Sequence, residues 1–293
     1  MGAHKAGFVN IIGQPNVGKS TLMNLLVGEK LSIITSKAQT TRHRILGIVN
    51  EDEYQIIYSD TPGIIDPAYK MQEGMMKFVK TALEDADLVL LMVESGQRNF
   101  KDKSLLDTIK GLSIPVLLLL NKIDESDQKG LESDVQHWAK QIEKVELIPI
   151  SALHHFNIEF VKTRIVELLP ESPPYYPKDS LTDKPERFFV EEKIREKILL
   201  NYAQEVPYSV EVLVEEFKEQ EKIIRIRANI FVARESQKGI IIGKEGKRLK
   251  QVGIESRRDL EQFFSKQIHL DLFVKVNKDW RNNEQQLKRF GYL

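Results

Sequence analysis

The chain of 293 residues contains no cysteine. That excludes a disulfide framework and a thiolate metal site, and it suits a reducing cytosol. Net charge is equally absent: 43 basic side chains balance 43 acidic ones, so overall electrostatics select no class of partner. No apolar run approaches the length of a membrane span, and no charged-then-apolar leader opens the sequence. Met1-Gly2 suggests N-myristoylation, but Ala6 stands where Ser or Thr is needed, so lipidation is not expected. Repeats and low-complexity segments are missing too. His154-His155 has neither cysteine nor suitably spaced carboxylates beside it, so it reads as a solvent-facing loop pair rather than a metal site. What remains is length enough for two domains with sizeable cores.

The most informative stretch is Gly13-Gln14-Pro15-Asn16-Val17-Gly18-Lys19-Ser20, which fits G-x-x-x-x-G-K-[ST]. The apolar run Phe8–Ile12 before it reads as a buried strand, and Thr21–Val27 after it reads as a helix stopped by Gly28. A strand feeding a glycine loop that opens a helix is what phosphate binding requires. Backbone N–H groups of Asn16 to Lys19 can curl around an anion at the positive end of the helix. Lys19 would reach the β- and γ-phosphates, and the Ser20 hydroxyl would coordinate Mg²⁺.

Four further segments extend this to a guanine nucleotide. Pro115–Leu120 is a continuous apolar run, read as a buried strand, that ends in Asn121-Lys122-Ile123-Asp124, an N-K-x-D sequence. The Asp124 carboxylate there can accept from N1–H and the 2-amino group of guanine, donors that adenine does not offer. The strand Tyr54–Ser59 leads into Asp60-Thr61-Pro62-Gly63, a D-x-x-G. Asp60 would hold Mg²⁺ through water, and the Gly63 amide would bond the γ-phosphate. Between helix and strand lies the polar Lys37–Arg42, the place for a switch loop whose threonine completes the Mg²⁺ shell. Thr40 and Thr41 compete for that role, and Thr41 is preferred. Ser151-Ala152-Leu153 after the sixth strand supplies a backbone contact to the base. Ile64 occupies the position where small signalling GTPases carry the glutamine that orients water, so no strong general base is visible and slow turnover is expected.

Strands near 7–12, 45–50, 54–60, 88–93, 115–121 and 146–150 alternate with helices near 19–27, 70–85, 101–110, 129–143 and 157–169. This alternation predicts a mostly parallel sheet covered on both faces. Four prolines within Pro170–Pro177 break the pattern and read as a stiff connector. Beyond it the order becomes α-β-β-α-α-β, with Gly243-Lys244-Glu245-Gly246 between two helices. A turn without Cβ atoms at its ends lets a phosphodiester approach closely. The segment Arg234–Arg258 carries eight Lys/Arg against three acids, a patch that attracts phosphate without reading sequence. Trp138 and Trp280 read as core or rim anchors, and the charged tail 279–289 as a solvated helix.

The motifs in order look like a translation-factor-related GTPase. The wording of Gly13–Ser20, together with Lys37-Ala38-Gln39-Thr40-Thr41-Arg42-His43-Arg44, resembles the Era family of bacterial ribosome-assembly GTPases. The I-I-I-G-x-x-G core resembles a KH domain of the bacterial type. The resemblance covers essentially the whole chain. It implies an α/β P-loop GTPase domain at 1–170, a proline-rich linker at 171–184, and an α+β KH domain at 185–293 with a helical tail. Thr21, like the rest of the P-loop, falls within the implied nucleotide site. Implied RNA contacts are Ile242, Gly243, Lys244, Glu245, Gly246, Lys247, Arg248 and Lys250. Implied partners are GTP or GDP with Mg²⁺, single-stranded 16S rRNA near its 3′ end, and the 30S subunit. A cytoplasmic monomer without DNA, touching the inner membrane face peripherally, completes the implied picture. In GTPases resembling this one the residue at Asn16 helps to bind K⁺; here it either does so or braces the loop. The alternative function is a GTPase whose C-terminal domain docks a protein or an RNA-modifying partner.

Overall fold

A computed structural model describes residues 3–100, 102–142 and 145–293. The chain divides into two compact units. One comprises the residues up to Ala68 with Gln72–Asp183, the other Tyr69–Met71 with Lys184–Leu293. Met1-Gly2 and the expected helix ends at Lys101 and Glu143 lie outside the described residues. Among the described residues no helix is long and apolar enough to cross a membrane.

Among the described residues of the first unit, six strands alternate with five helices, of which the second has its first two residues in the other unit. The strands are β1 (Lys5–Gly13), β2 (Ile45–Asn50), β3 (Tyr54–Asp60), β4 (Leu88–Glu94), β5 (Val116–Asn121) and β6 (Glu146–Pro149). The helices are α1 (Lys19–Val27), α2 (Lys70–Glu84), α3 (Lys103–Lys110), α4 (Gln128–Gln141) and α5 (Ile158–Leu168). The sheet order is β2-β3-β1-β4-β5-β6, with β2 antiparallel to β3 and every other pair parallel. A parallel sheet clothed on both faces needs apolar strands throughout. Leu88–Val93 and Leu117–Leu120 supply them and are buried from end to end. Parallel pairing also gathers strand C-termini at one edge, where α/β sheets bind ligands. Ile11 pairs with Asp60, Gly13 with Met92, and Glu94 with Asn121, so the three motifs share that edge.

The proline-rich segment remains extended and lies along the β2 side of this unit. Glu171 bridges to Lys5. The fully buried Gln55 accepts from the amides of Tyr175 and Tyr176 and donates to the Tyr176 carbonyl at 2.8 Å. Further along, the Ile48 amide donates to Leu181 O, and Thr182 Oγ1 to Leu46 O. The Leu46 amide in turn donates to Asp183 Oδ1. The strap therefore satisfies polar groups that an edge strand would otherwise expose, and it clusters with the first unit as far as Asp183.

The second unit contains α6 (Glu186–Asn201), β7 (Glu211–Glu219), β8 (Ile223–Val232), α7 (Glu235–Ile242), α8 (Lys247–Phe264), β9 (Gln267–Val276) and α9 (Glu284–Arg289). Its sheet runs β7-β8-β9, antiparallel and then parallel. Ile194, Ile198, Ile226, Ile230, Val252 and Leu260 build its core. Of the solvated helix expected at 279–289, Glu284–Arg289 is helical with Glu284, Lys288 and Arg289 exposed, while Leu287 is buried. Trp280 is fully buried and donates to Ser209 O at 3.1 Å. Phe290 packs edge-on against it, and Tyr292 Oη donates to Glu211 Oε2 at 2.6 Å. Burial of these rings outweighs the charged faces of the short helix between them.

Gln55→Ala removes the strap's anchor on β3 and leaves two part-buried amides without their acceptor. The expected cost is about 2 kcal/mol in urea denaturation, with faster hydrogen exchange at the Tyr175 and Tyr176 amides. Unchanged exchange there would contradict the assigned anchor.

Candidate functional site

The loop between β1 and α1 is shaped by backbone that only some residues tolerate. Gly18 has φ 101°, and a Cβ on it would meet Asn121 Nδ2 at 2.3 Å. Both conditions require glycine. Asn16 is also left-handed, at φ 67°. Lys19 is buried and donates to the carbonyls of Gly13 (3.1 Å) and Gln14 (2.9 Å), closing the loop around its own ammonium group. Burial pulls its pKa down to about 8, and the nearby Asp60 charge acts the other way. Ile64 N donates to Gly13 O at 3.1 Å and fastens the D-x-x-G segment to the same loop.

Ser20, Thr41 and Asp60 converge. Ser20 Oγ donates to Asp60 Oδ2 at 2.7 Å and lies 2.9 Å from Thr41 Oγ1, which reaches Asp60 Oδ2 at 3.2 Å. Thr40 turns elsewhere, with its hydroxyl on Lys37 O (2.6 Å) and Thr35 Oγ1 (2.7 Å). Asp60 is fully buried, and desolvation pushes its pKa up, against the Lys19 charge and its hydroxyl partners. Its Oδ1 has no hydrogen-bond partner, although the similarly unbonded Ser32 hydroxyl lies near enough to lower the pKa. A buried carboxylate oxygen without a partner, beside two hydroxyls, is a hard-oxygen donor set that fits Mg²⁺. Mg²⁺ held there would offset phosphate charge beside Lys19.

At the far end of the cleft, Asn121 ties two loops together. Its Nδ2 donates to Val17 O (2.7 Å), and its Oδ1 accepts from the Ala152 amide (2.9 Å). These two bonds frame the site and leave one amide hydrogen of Asn121, which also lines the cleft, available to a ligand. Ser151 Oγ donates to Asp124 Oδ1 at 2.5 Å, and that bond holds the Asp124 pKa below the usual carboxylate range. A carboxylate kept ionised at the rim can accept two guanine N–H groups. Lys122, in left-handed backbone at φ 61°, pairs with Glu94. Leu153 is 71% exposed beside the cleft, an apolar edge for a base to rest on.

Pro15, Asn16, Gly18, Lys19, Ser20, Thr21, Gly63, Lys122, Asp124 and Ala152 all line one cleft. Gln14, Val17 and Thr61 were expected there, but their side chains point elsewhere. Gln14 Nε2 donates to Asn99 O, Val17 is buried in the core, and Thr61 Oγ1 donates to Ile11 O. Only their backbones remain for a ligand. Ile64 is a fully buried core residue packed with Ile12 and Val79, which leaves no room for a water-orienting role. Ile33, Ile34 and Thr35 also line the cleft. No motif marks them, and only their place between α1 and Thr41 could have suggested them.

In the second unit, Gly243 has φ 72°, and a Cβ there would meet Arg248 Cβ at 2.8 Å. Lys244, Glu245, Lys247, Arg248 and Lys250 are exposed. Ile242, expected as an RNA contact, is half-buried and packs against the core. Beside the turn runs a groove lined by Gly246, Leu249, Gly253, Ile254, Leu270 and Leu272, with Lys250 and Arg257. Its β9 wall and the exposed Ile254 escaped sequence reasoning because they depend on how α8 packs across the sheet. An apolar trough beside a glycine turn with basic flanks suits bases alongside a clamped backbone.

In the nucleotide-free protein Lys19 loses its proton near pH 8 instead of 10.5. Phosphate oxygens favour its charged form, so GDP binding at about pH 8.5 takes up most of a proton, and at about pH 7 almost none. Affinity then falls as pH rises through 8. Calorimetry in buffers of different ionisation heat measures the uptake, and zero uptake at both pH values would contradict the assignment.

Two family models match the chain, one described as a 50S ribosome-binding GTPase over residues 8–122 and one as a KH domain over residues 205–281. The GTPase Era of Thermoanaerobacter sp. (strain X514) is 46% identical over 292 residues, covering 99% of this chain and 97% of the relative. A variant of Aquifex aeolicus Era bound to GDP·AlF4⁻ is similar in structure, with a TM-score of 0.94 at 40% identity, covering 98% of this chain and 99% of that one. Era in complex with MgGDPNP and nucleotides 1506–1542 of 16S ribosomal RNA also scores 0.94, at 39% identity and 99% coverage of both chains. With a P-loop GTPase fold, a KH fold and this full-length identity, the chain belongs to the Era family of GTPases.

Proposed function

We propose that this chain is a GTP-driven switch that binds single-stranded 16S rRNA near its 3′ end and acts in assembly of the 30S subunit. The observation that carries the switch is the meeting of Ser20, Thr41 and Asp60, 2.7–3.2 Å apart, at the phosphate loop. Mg²⁺ at these oxygens and a γ-phosphate at Gly63 would order the two segments that hydrolysis later releases. The RNA reading is supported by the Gly243–Gly246 turn beside the α8–β9 groove, and by the relative crystallised with a 16S rRNA fragment. The family description that names the 50S particle points the other way. Linkage requires that whatever factor GTP contributes to RNA affinity, RNA returns to GTP affinity. The proposed setting is the cytoplasm, as a monomer, with any membrane contact peripheral.

A K⁺ ion beside the β- and γ-phosphates is proposed as the aid to hydrolysis that replaces a glutamine. Asn16 Nδ2 donates to Ser36 O at 3.1 Å, which braces the loop and leaves Oδ1 as the atom able to ligate a cation. Charge placed there would stabilise the transition state much as an arginine finger does.

Two experiments test these readings. Changing Lys244 and Glu245 together to aspartate should weaken single-stranded RNA by about tenfold or more in filter binding. Sedimentation with GDPNP should place the native protein on 30S rather than 50S particles; unaltered RNA affinity together with 50S binding would favour a docking role. Replacing K⁺ by Na⁺ should slow hydrolysis in the native protein and make no difference in Asn16→Ala. Equal native rates in both salts would remove K⁺ while leaving the GTPase in place.

A further inference from the structure

The segment Arg42-His43-Arg44 follows Thr41, and no role in nucleotide binding has been found for its last member. Arg44 lies outside the cleft lining and only 13% of its side chain is exposed. Its guanidinium is nevertheless almost fully engaged. Nε donates to Ser59 Oγ at 2.7 Å, Nη2 to Asn10 Oδ1 at 3.2 Å, and Nη1 and Nη2 together fork onto Asp85 at 2.5 and 2.9 Å. Asn10 is fully buried in the middle of β1, and its Nδ2 donates to Asp85 Oδ1 (2.9 Å) and to Ala82 O. One polar cluster therefore joins four elements: the return limb after Thr41, β3 one residue before Asp60, β1 three residues before Gly13, and the C-terminal end of α2.

We propose that Arg44 is a positioning residue for GTP hydrolysis, clamping the Thr41 segment to the strand of Asp60 and to the end of α2. Thr41 is three residues upstream of Arg44 and Ser59 is one residue upstream of Asp60, so the clamp ties together the limbs that carry two of the cleft's oxygen donors, while Asp85 secures it just past the C-terminal end of α2, the end remote from Gly63. His43 adds a contact to the same helix, its ring 5.9 Å from that of Phe78 on α2. Only a planar fork with several donors can bond Ser59, Asn10 and both Asp85 oxygens at once; a lysine has a single nitrogen. The Asp85 side chain is 39% exposed, so its pair with Arg44 adds little to net stability; what the forked geometry supplies is a defined arrangement. GDP needs the phosphate loop and the base loops but neither Thr41 nor Gly63. Loss of the clamp should therefore separate GTP from GDP, whereas a general loss of packing would not.

This inference rests on the Mg·GTP reading of the cleft. The test compares full-length native protein, Arg44→Lys, Asp85→Ala and the double variant, using single-turnover GTP hydrolysis and fluorescent GDP and GDPNP titrations in Mg²⁺. Each single variant should lower kcat and GDPNP affinity about tenfold while GDP affinity stays within about twofold, and the double should be no worse than either. Equal loss of GDP and GDPNP, or an unchanged kcat, would overturn the proposal. If Arg44→Lys fails to fold, Ser59→Ala, which deletes one bond and no charge, must show the same split on a smaller scale. Native protein that binds GDP yet never hydrolyses GTP would overturn the underlying reading instead.

Discussion

The Asp60 carboxylate, fully buried with one oxygen unbonded, is the constraint on which the rest of the first unit depends. A lone buried carboxylate is costly, and its pKa rises accordingly. Here the cost is offset in part by Lys19 and by the hydroxyls of Ser20 and Thr41. Those three groups come from the phosphate loop and the segment after α1, so the carboxylate selects which loops can be neighbours. Parallel pairing of β1 with β3 brings Ile11 opposite Asp60, and without that register the charge would face no ammonium. Mg²⁺ would complete a set that the protein alone leaves one partner short.

Much of the fold was legible because α/β alternation, N-K-x-D, D-x-x-G and the phosphate loop are local patterns. The structure places α1 over Lys19–Val27 and β2 and β3 over Ile45–Asn50 and Tyr54–Asp60, where periodicity and turn chemistry had put them. What escaped depends on partners distant in sequence. Asn10 reads as one polar residue in an apolar strand, and only the register with Ser59 explains it. The framing bonds of Asn121 to Val17 O and from the Ala152 amide also join positions far apart in sequence. The proline run excludes helix, but nothing local says that Gln55 will seize it. In the tail, Trp280, Phe290 and Tyr292 do not share one helical face, so periodicity does not reveal that all three are buried.

The two units divide the chemistry. The first supplies ionised groups whose protonation is tuned by burial, with Lys19 pulled down and Asp60 pushed up. The second supplies shape: a glycine turn at Gly243 that cannot carry a Cβ, and an apolar trough beside it. Electrostatic preorganisation suits phosphate charge, while an apolar trough suits unstacked bases. Placing both on one chain is what makes a nucleotide-dependent grip on RNA chemically reasonable for a member of the Era family.

The most direct test of the central claim concerns Thr41 as the hydroxyl that, beside Asp60 and Ser20, would help hold Mg²⁺ in the GTP-bound protein. The measurement is the Mg²⁺ dependence of GDPNP and GDP affinity in Thr41→Val and Thr40→Val. The account predicts that Thr41→Val weakens GDPNP by about tenfold at saturating Mg²⁺ and leaves GDP nearly unchanged, while Thr40→Val alters neither. Equal weakening of GDP and GDPNP in Thr41→Val, or a GDPNP-specific loss in Thr40→Val, would contradict it.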